Sequence, residues 1–307
     1  MSPDARTHEP CMLRQTLDIL QPEPGDIALD CTLGLGGHAK AILEKTAPDG
    51  PFIGIDWDPQ MLDIARERLG EYSDRMSLFN ENFTALPRVL DEAGVDAVDV
   101  AILDAGVARP HFVDPSRGFG FDSESLDMRM SPDAPETAEA VINSASEEKL
   151  RDIFRVTQNE REARRIARRI VNERRSGRIT SCAQLADLIV DAVGHSESTR
   201  QPASALLAVR IFINDELDNL AEGVEAMARS LRAESGRMAI LTYHSAEFRT
   251  VHETMKYLER GTKTPPWMPT VEAPQPVIKR LVKRAMHPAD DAPPTCRSAR
   301  LFAAVAV

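Results

Sequence analysis

Between Asp26 and Asp104, short apolar runs alternate with amphipathic stretches. Ile27-Ala28-Leu29-Asp30 reads as a short buried strand, a glycine-rich turn follows, and residues 39–46 read as a helix. Residues 52–56 predict a second strand and residues 59–69 a second helix, with Pro59 suited to a first turn where its missing N–H has no helical partner to lose. Residues 76–79 predict a third strand, 86–93 a third helix and 98–104 a fourth strand. Strand–helix alternation of this kind implies right-handed crossovers and a parallel sheet. The pattern then stops. Residues from about 108 to 134 look like loop, broken by Pro110, Pro115, Pro132, Gly118 and Gly120. From Ala138 to Val193 the period is helical, with separate helices over 147–156, 160–175 and 182–193; Gly177 ends the second and Thr180-Ser181 can cap the third. One long helix is expected over about 203–233, a strand over 237–242, an irregular proline-rich stretch over 261–295, and a strand-like end over 299–307.

The simplest assembly is one discontinuous α/β domain, 1–107 with 208–307, interrupted by an all-helical insertion at 108–207. The insertion follows the fourth strand, so it is expected to emerge at the carboxyl edge of the sheet, where open α/β sheets bind ligands, and to help choose the substrate. The 307 residues suffice for one large domain or two smaller ones, and 42% hydrophobic with 28% charged is an ordinary globular balance. No apolar run of ~18 residues occurs, so no membrane span is expected. Met1 to Arg6 lacks the order of a signal peptide. Cys11, Cys31, Cys182 and Cys296 lie far apart with no CxxC pair, so neither a zinc site nor a disulfide framework is indicated, and a reducing cytoplasm fits.

Charge changes the picture of partners. The net charge of −11 argues against a polyanion, but residues 1–150 hold 12 Lys/Arg and 29 Asp/Glu of the chain's 37 and 48, so the second half is net basic. Residues 160–178 alone carry eight arginines against three glutamates. Arg161, Arg164, Arg168 and Arg175 recur at helical spacing and can form one face against phosphates, to which Arg200, Arg297 and Arg300 could add; a solvated, salt-bridged helix face is the alternative.

Four strand ends carry candidate chemistry. Gly34-Leu35-Gly36-Gly37-His38 lies between a strand and a helix, where glycine lets the backbone approach a ligand; NAD and S-adenosylmethionine (SAM) folds share such turns. Asp56 ends the second strand, and its two carboxylate oxygens match the cis-diol of a ribose, although it could simply cap the next helix. Phe83 follows the third strand, as an adenine contact or as core. Asp104 ends the fourth strand, where a hydrogen-bond acceptor could orient an attacking amine or merely cap a turn. No metal-ligand spacing links the histidines.

These residues resemble one family closely, the 16S rRNA cytosine-N4 methyltransferases known as MraW or RsmH. Residues 8–13 (HEPCML) look like its HEPVLL, residues 30–38 like DGTxGxGGH, residues 56–59 like D-x-D-P and residues 103–107 like LDLGV. The most specific match is Arg117-Gly118-Phe119-Gly120-Phe121 followed by Leu126-Asp127-Met128-Arg129-Met130. The resemblance implies a Rossmann-like SAM-dependent methyltransferase sheet with a helical insertion for substrate recognition. It implies SAM contacts at Gly36, Gly37, His38, Asp56, Phe83, Asp104 and His111, with Asp104 also serving catalysis, and a cytidine pocket with His8, His244 and Ser245. The arginines 161, 164, 168 and 297 would then meet small-subunit rRNA or the assembled small subunit, with no membrane and no metal. Departures are visible: Ala39 for Ser, Ala108 and Arg109 for two Ser after LDLGV, Thr157-Gln158 for Tyr-Gly, Thr295 for Arg, changes through 200–211, and Tyr243-His244-Ser245-Ala246-Glu247-Phe248-Arg249 for FHSLEDR. They keep open a divergent paralogue with another substrate and a non-catalytic ribosome-assembly factor. An NAD oxidoreductase and a small-molecule or protein methyltransferase are the remaining rivals.

Overall fold

The computed structural model describes residues 10–194, 200–260 and 275–307. The first elements are α1 (Leu13–Leu20), β1 (Ala28–Asp30), α2 (Gly37–Lys45), β2 (Phe52–Asp56), α3 (Pro59–Arg68), β3 (Met76–Asn80), α4 (Leu86–Ala93) and β4 (Val100–Asp104). Then come α5 (Arg109–Val113), α6 (Ala138–Ser144), α7 (Glu147–Phe154), α8 (Glu160–Glu173), α9 (Cys182–Val193), α10 (Arg200–Ile213) and α11 (Glu216–Ser230). The chain ends with β5 (Arg237–Thr242), α12 (Ser245–Arg260), β6 (Ile278–Arg280) and β7 (Arg300–Ala306). Two units form: Met1–Gly106 with Leu217–Val307, and Val107–Glu216.

In the first unit the strands make one sheet in the order β3-β2-β1-β4-β5-β7-β6. The first five of these are parallel, while β7 runs antiparallel to both β5 and β6. Successive side chains point to opposite faces of a strand, and here both faces are apolar. Leu29, Ile53, Ile55 and Leu103 join one core layer with Val224, Met227 and Val251; Ala28, Phe52, Val100 and Ile102 join the other with Leu20, Ile42, Leu43 and Leu62. That two-sided burial is why these strands read as continuous apolar runs. β2 and β3 lie to one side of β1 and β4 to the other, so the strand order reverses between β1 and β4. The carboxyl ends at this switch point are Asp30 and Asp104.

The second unit is helical. Ile142, Leu150, Phe154, Ile166, Ile170, Leu185, Ile189 and Val209, drawn from α6 to α10, share its core. Its helices are capped as their sequence suggests: the Asn159 side chain accepts from the Glu162 N–H, and Ser181 accepts from the Gln184 N–H. The family-specific motif builds structure within this unit. Arg117 donates to the carbonyls of Arg129 (3.1 Å) and Met130 (2.9 Å). Gly118 has φ of +76°, and a Cβ there would lie 2.5 Å from the Asp127 nitrogen, so only glycine fits.

Several expectations need correction. The single helix expected over about 203–233 is broken at Asn214-Asp215: Asp215 has a φ of 47°, and the Asn214 amide donates to the Met128 carbonyl (2.8 Å) and accepts from the Met130 N–H (2.7 Å). α8 stops at Glu173, short of Gly177. α1 and α12 were not expected, and β6 lies in the stretch expected to be irregular because β7 offers it an edge to pair with. Contrary to the expectation of no disulfide, Cys11 and Cys296, separated by 285 positions, are bonded to each other. The segment before α1 and the approach to β7 meet in the core layer that also holds Leu20 and Leu301. Among the described residues no helix is long and apolar enough to cross a membrane.

Candidate active site

Three aspartates end three neighbouring strands of the first unit: Asp30 on β1, Asp56 on β2 and Asp104 on β4. Asp56 accepts from the Gly34 N–H through Oδ2 (2.7 Å) and from the Asp58 N–H through Oδ1 (2.9 Å). It therefore ties the glycine turn to β2. The cap of α3 is Asp58, which accepts from the Gln60 N–H at 2.9 Å, so the capping alternative for Asp56 falls away. The Asn80 amide donates to the Asp56 and Trp57 carbonyls and holds the end of β2 to β3.

Gly36 is left-handed, with φ of 72°, and Gly37 opens α2. A Cβ on Gly36 would lie 2.9 Å from Leu69, and one on Gly37 would lie 2.9 Å from Pro10. The turn itself demands glycine at 36, through its φ, while at Gly37 the demand is the close approach of Pro10.

Asp30 is buried and accepts from the Thr32 N–H (3.0 Å). Burial pushes its carboxyl up to about 8, against the pull of that hydrogen bond, and the negative charges of Asp104 and Asp56 add to the rise. At neutral pH it is a protonated acid. Asp104 is held by its N–H, which donates to Thr32 Oγ1 (2.6 Å), and its Oδ1 accepts from the Tyr243 hydroxyl (2.7 Å).

His38 is buried, with Nε2 at 3.2 Å from the Cys11 carbonyl and Nδ1 at 3.6 Å from Asp104 Oδ2. A carbonyl can only accept, so Nε2 carries the proton. Burial holds the imidazole pKa below its ordinary value, with Asp104 opposing, so the ring is neutral and Nδ1 is an acceptor. Two acceptors thus face each other across a gap longer than a hydrogen bond. A ligand that is cationic or rich in N–H donors suits that arrangement.

The remaining expected residues are placed as follows. Phe83 sits in the short turn before α4, packed on the core with its ring against Gly223 of α11, where a Cβ would lie 2.3 Å away. Ser245 is exposed at the start of α12, and Arg297 is exposed just before β7. His244 Nδ1 accepts from the Glu247 N–H (3.3 Å); its Nε2 lies 3.0 Å from Glu247 Oε1 but is not aligned to bond it. His111 belongs to the second unit, buried in α5, with Nδ1 against the Ala108 backbone. Arg161, Arg164 and Arg168 are exposed on α8, whose opposite face buries Ala163, Ile166, Ala167 and Ile170. Arg164 pairs with Glu160 at 3.3 Å and Arg168 lies 3.6 Å from Glu147. His8 lies outside the described residues.

Three residues of the site were missed in the sequence. Asp30 and Tyr243 contact the motif residues directly, and buried Glu247 accepts from the Tyr243 N–H at 2.7 Å. The signal for Tyr243 was positional: it follows β5, the neighbour of β4, in a stretch read only for its histidine and serine.

The donor set distinguishes between the nucleoside cofactors. An acid at the end of β2 suits a ribose in either case, but the carboxylates of Asp56 and Asp104 repel a pyrophosphate and attract a sulfonium or ammonium. NAD is therefore disfavoured, and the chain is a SAM-dependent methyltransferase of Rossmann-like fold. Comparison with known proteins gives the particular family. The model of the MraW methylase family matches residues 5–306, and the chain belongs to that family. It is 38% identical to "Ribosomal RNA small subunit methyltransferase H" of Syntrophotalea carbinolica, over 99% of each chain. It is 39% identical to the protein of the same name from Geobacter sulfurreducens, over 97% of this chain and 98% of that one.

Proposed function

We propose that this enzyme transfers a methyl group from SAM to N4 of a cytidine in small-subunit (16S) ribosomal RNA, acting on the rRNA or on the assembled subunit. The observation that carries this reading is the extent of the likeness. The matches at 38% and 39% identity cover 99% and 97% of this chain and so extend over both units, taking in the proposed substrate-recognition unit as well as the sheet, and both relatives are named for ribosomal RNA of the small subunit. SAM supplies an electrophilic methyl on a sulfonium. Asp56 would hold the ribose, with the Gly36-Gly37 turn beside it; Phe83 would lie by the adenine, and His111 is the further expected contact. An exocyclic cytosine amine is a poor nucleophile because its lone pair is conjugated with the ring. Asp104 can accept one amine hydrogen and aim the nitrogen, which is alignment plus charge stabilisation rather than covalent catalysis.

The helical unit is the proposed substrate-recognition part, its Arg161, Arg164 and Arg168 meeting phosphates, with Arg297, His8, His244 and Ser245 as the expected partners of the RNA. Their surface ion pairs are no obstacle, since exposed pairs contribute only ~0–1 kcal/mol and a polyanion can displace them. The expected location is the cytoplasm, where burial of both half-cystines shields the Cys11–Cys296 bond from thiol exchange. Nucleoside mass spectrometry of small-subunit rRNA from cells with and without the gene tests the reading. Loss of an N4-methylcytidine species is expected; an unchanged profile would refute the substrate.

A further inference from the structure

The flank of the sheet formed by β7 and β6 carries a basic rim. Residues 279–300 hold six Lys/Arg against two Asp, in a chain whose first 150 residues are strongly acidic. The strand register fixes where these cations stand. At the carboxyl edge Asp104 of β4 lies opposite Leu241 of β5, and Thr242, one residue on, lies opposite Arg300 of β7. On the other side of β7 the Leu281 N–H donates to the Ala303 carbonyl (2.9 Å), and Met286 pairs with Leu301. Residues 282–285 therefore leave the ladder as a short loop opposite a single residue of β7. The legs of the loop, Val282 and Ala285, are half-buried; its tip is Lys283 and Arg284, both exposed. Neighbouring strands lie ~4.8 Å apart, so three steps across the sheet put the loop roughly 14 Å from the end of β4.

Charge at this tip is not compensated. Among the described residues Lys283, Arg284 and Arg297 form no ion pair, and Asp290 and Asp291, the acids of the stretch, pair with none of them. By contrast Arg280 is bound to Glu259 at 2.6 Å, and Arg164 and Arg168 of α8 face Glu160 and Glu147. A lysine on an edge strand serves to block pairing with another chain, and Lys279 on β6 fits that role. Lys283 and Arg284 stand outside the ladder, where there is no row of backbone groups to guard. We infer that Lys283 and Arg284, with Arg297, form a second phosphate-binding surface for the substrate RNA, on the sheet unit and along the edge where Asp104 ends. Cations without counter-charges attract a polyanion and give up no ion pair on binding it, so this rim takes the sugar–phosphate backbone beside the target cytidine. The inference rests on the rRNA substrate proposed above.

The test measures binding of the full-length enzyme to protein-free 16S rRNA and to small ribosomal subunits from cells lacking the gene, across a KCl series at fixed magnesium. Wild type is compared with Lys283→Ala/Arg284→Ala and with Lys45→Ala/Arg66→Ala, which removes equal charge from α2 and α3. The first variant is expected to lower the slope of log affinity against log salt by about 1.5–2 on both probes and to raise KM for subunits about tenfold, the loss falling in KM rather than kcat. Lys283→Glu/Arg284→Glu is expected to weaken binding further, with the SAM Kd of both variants at the wild-type value. A wild-type slope and KM in the loop variants would overturn the inference and leave the rRNA reading standing. So would an equal loss in Lys45→Ala/Arg66→Ala, or a loss seen with subunits but not with rRNA, which would assign the loop to an acidic ribosomal protein. If wild type binds neither probe more tightly as salt falls, the rRNA reading itself fails, and the inference with it.

Discussion

Replacing Asp30 by asparagine should flatten part of the pH dependence of stability. The carboxyl is buried at the end of β1, and its folded-state pKa is raised from 3.8 to about 8. Below pH 4 both folded and unfolded chains hold the proton, and the group contributes no pH dependence. As pH rises from about 4 to about 8 the unfolded chain ionises while the folded one keeps its proton, so the folded state binds more protons and stability falls. Each unit of pKa difference is worth about 1.4 kcal/mol, so between pH 5 and pH 8 this one group removes roughly 3–4 kcal/mol. Asparagine has nearly the shape of the protonated acid. Its oxygen can accept from the Thr32 N–H, and its amide offers N–H donors where the acid offers O–H. Urea denaturation of wild type and Asp30→Asn at pH 5 and pH 8 measures the difference. The wild type should lose roughly 3–4 kcal/mol more than the variant across that interval. SAM affinity at pH 7, read by calorimetry, should stay within about threefold, because the wild-type group is already neutral there. Parallel stability profiles would refute the claim that a proton sits on Asp30.

Other variants test the remaining geometry. Asp56→Ala removes a charged acceptor from the expected ribose site and frees the Gly34 N–H; SAM Kd should rise at least about tenfold by calorimetry, and an unchanged Kd would exclude Asp56 from the site. Gly223→Ala sets a helix-propensity gain of ~1 kcal/mol against an overpacking cost of ~1–3 kcal/mol where Cβ meets Phe83, so the expected net is a loss of up to ~2 kcal/mol in urea; a full ~1 kcal/mol stabilisation would show that the ring yields freely. Replacing Arg161, Arg164 and Arg168 together by alanine should weaken binding to small-subunit rRNA and reduce the slope of log affinity against log salt by up to about three; an unchanged slope would remove α8 from the interface.

The strands and the short connecting helices of the sheet were legible because burial on both faces leaves an unbroken apolar run, and β2 and β4 each end on the acid that the sequence marked. Helices α7, α8 and α9 were legible for the same kind of reason, since α8 alternates buried Ala163, Ile166, Ala167 and Ile170 with exposed arginines. What escaped depended on partners far along the chain. The break at Asn214-Asp215 is made by hydrogen bonds to Met128 and Met130, and β6 exists because β7 offers it an edge. The Tyr243–Asp104 bond spans 139 positions. Arg117 to Met130, the stretch that matches the family motif most specifically, holds its own loops together within the helical unit.

The bond between Cys11 and Cys296 joins residues 285 positions apart and closes the chain between them into a single covalent ring, the two Cα atoms standing 5.5 Å apart. A ring has no first or last element. Cutting the backbone once anywhere between the two cysteines opens it without dividing it, and the molecule comes apart into two pieces only when a thiol reductant also breaks the second connection.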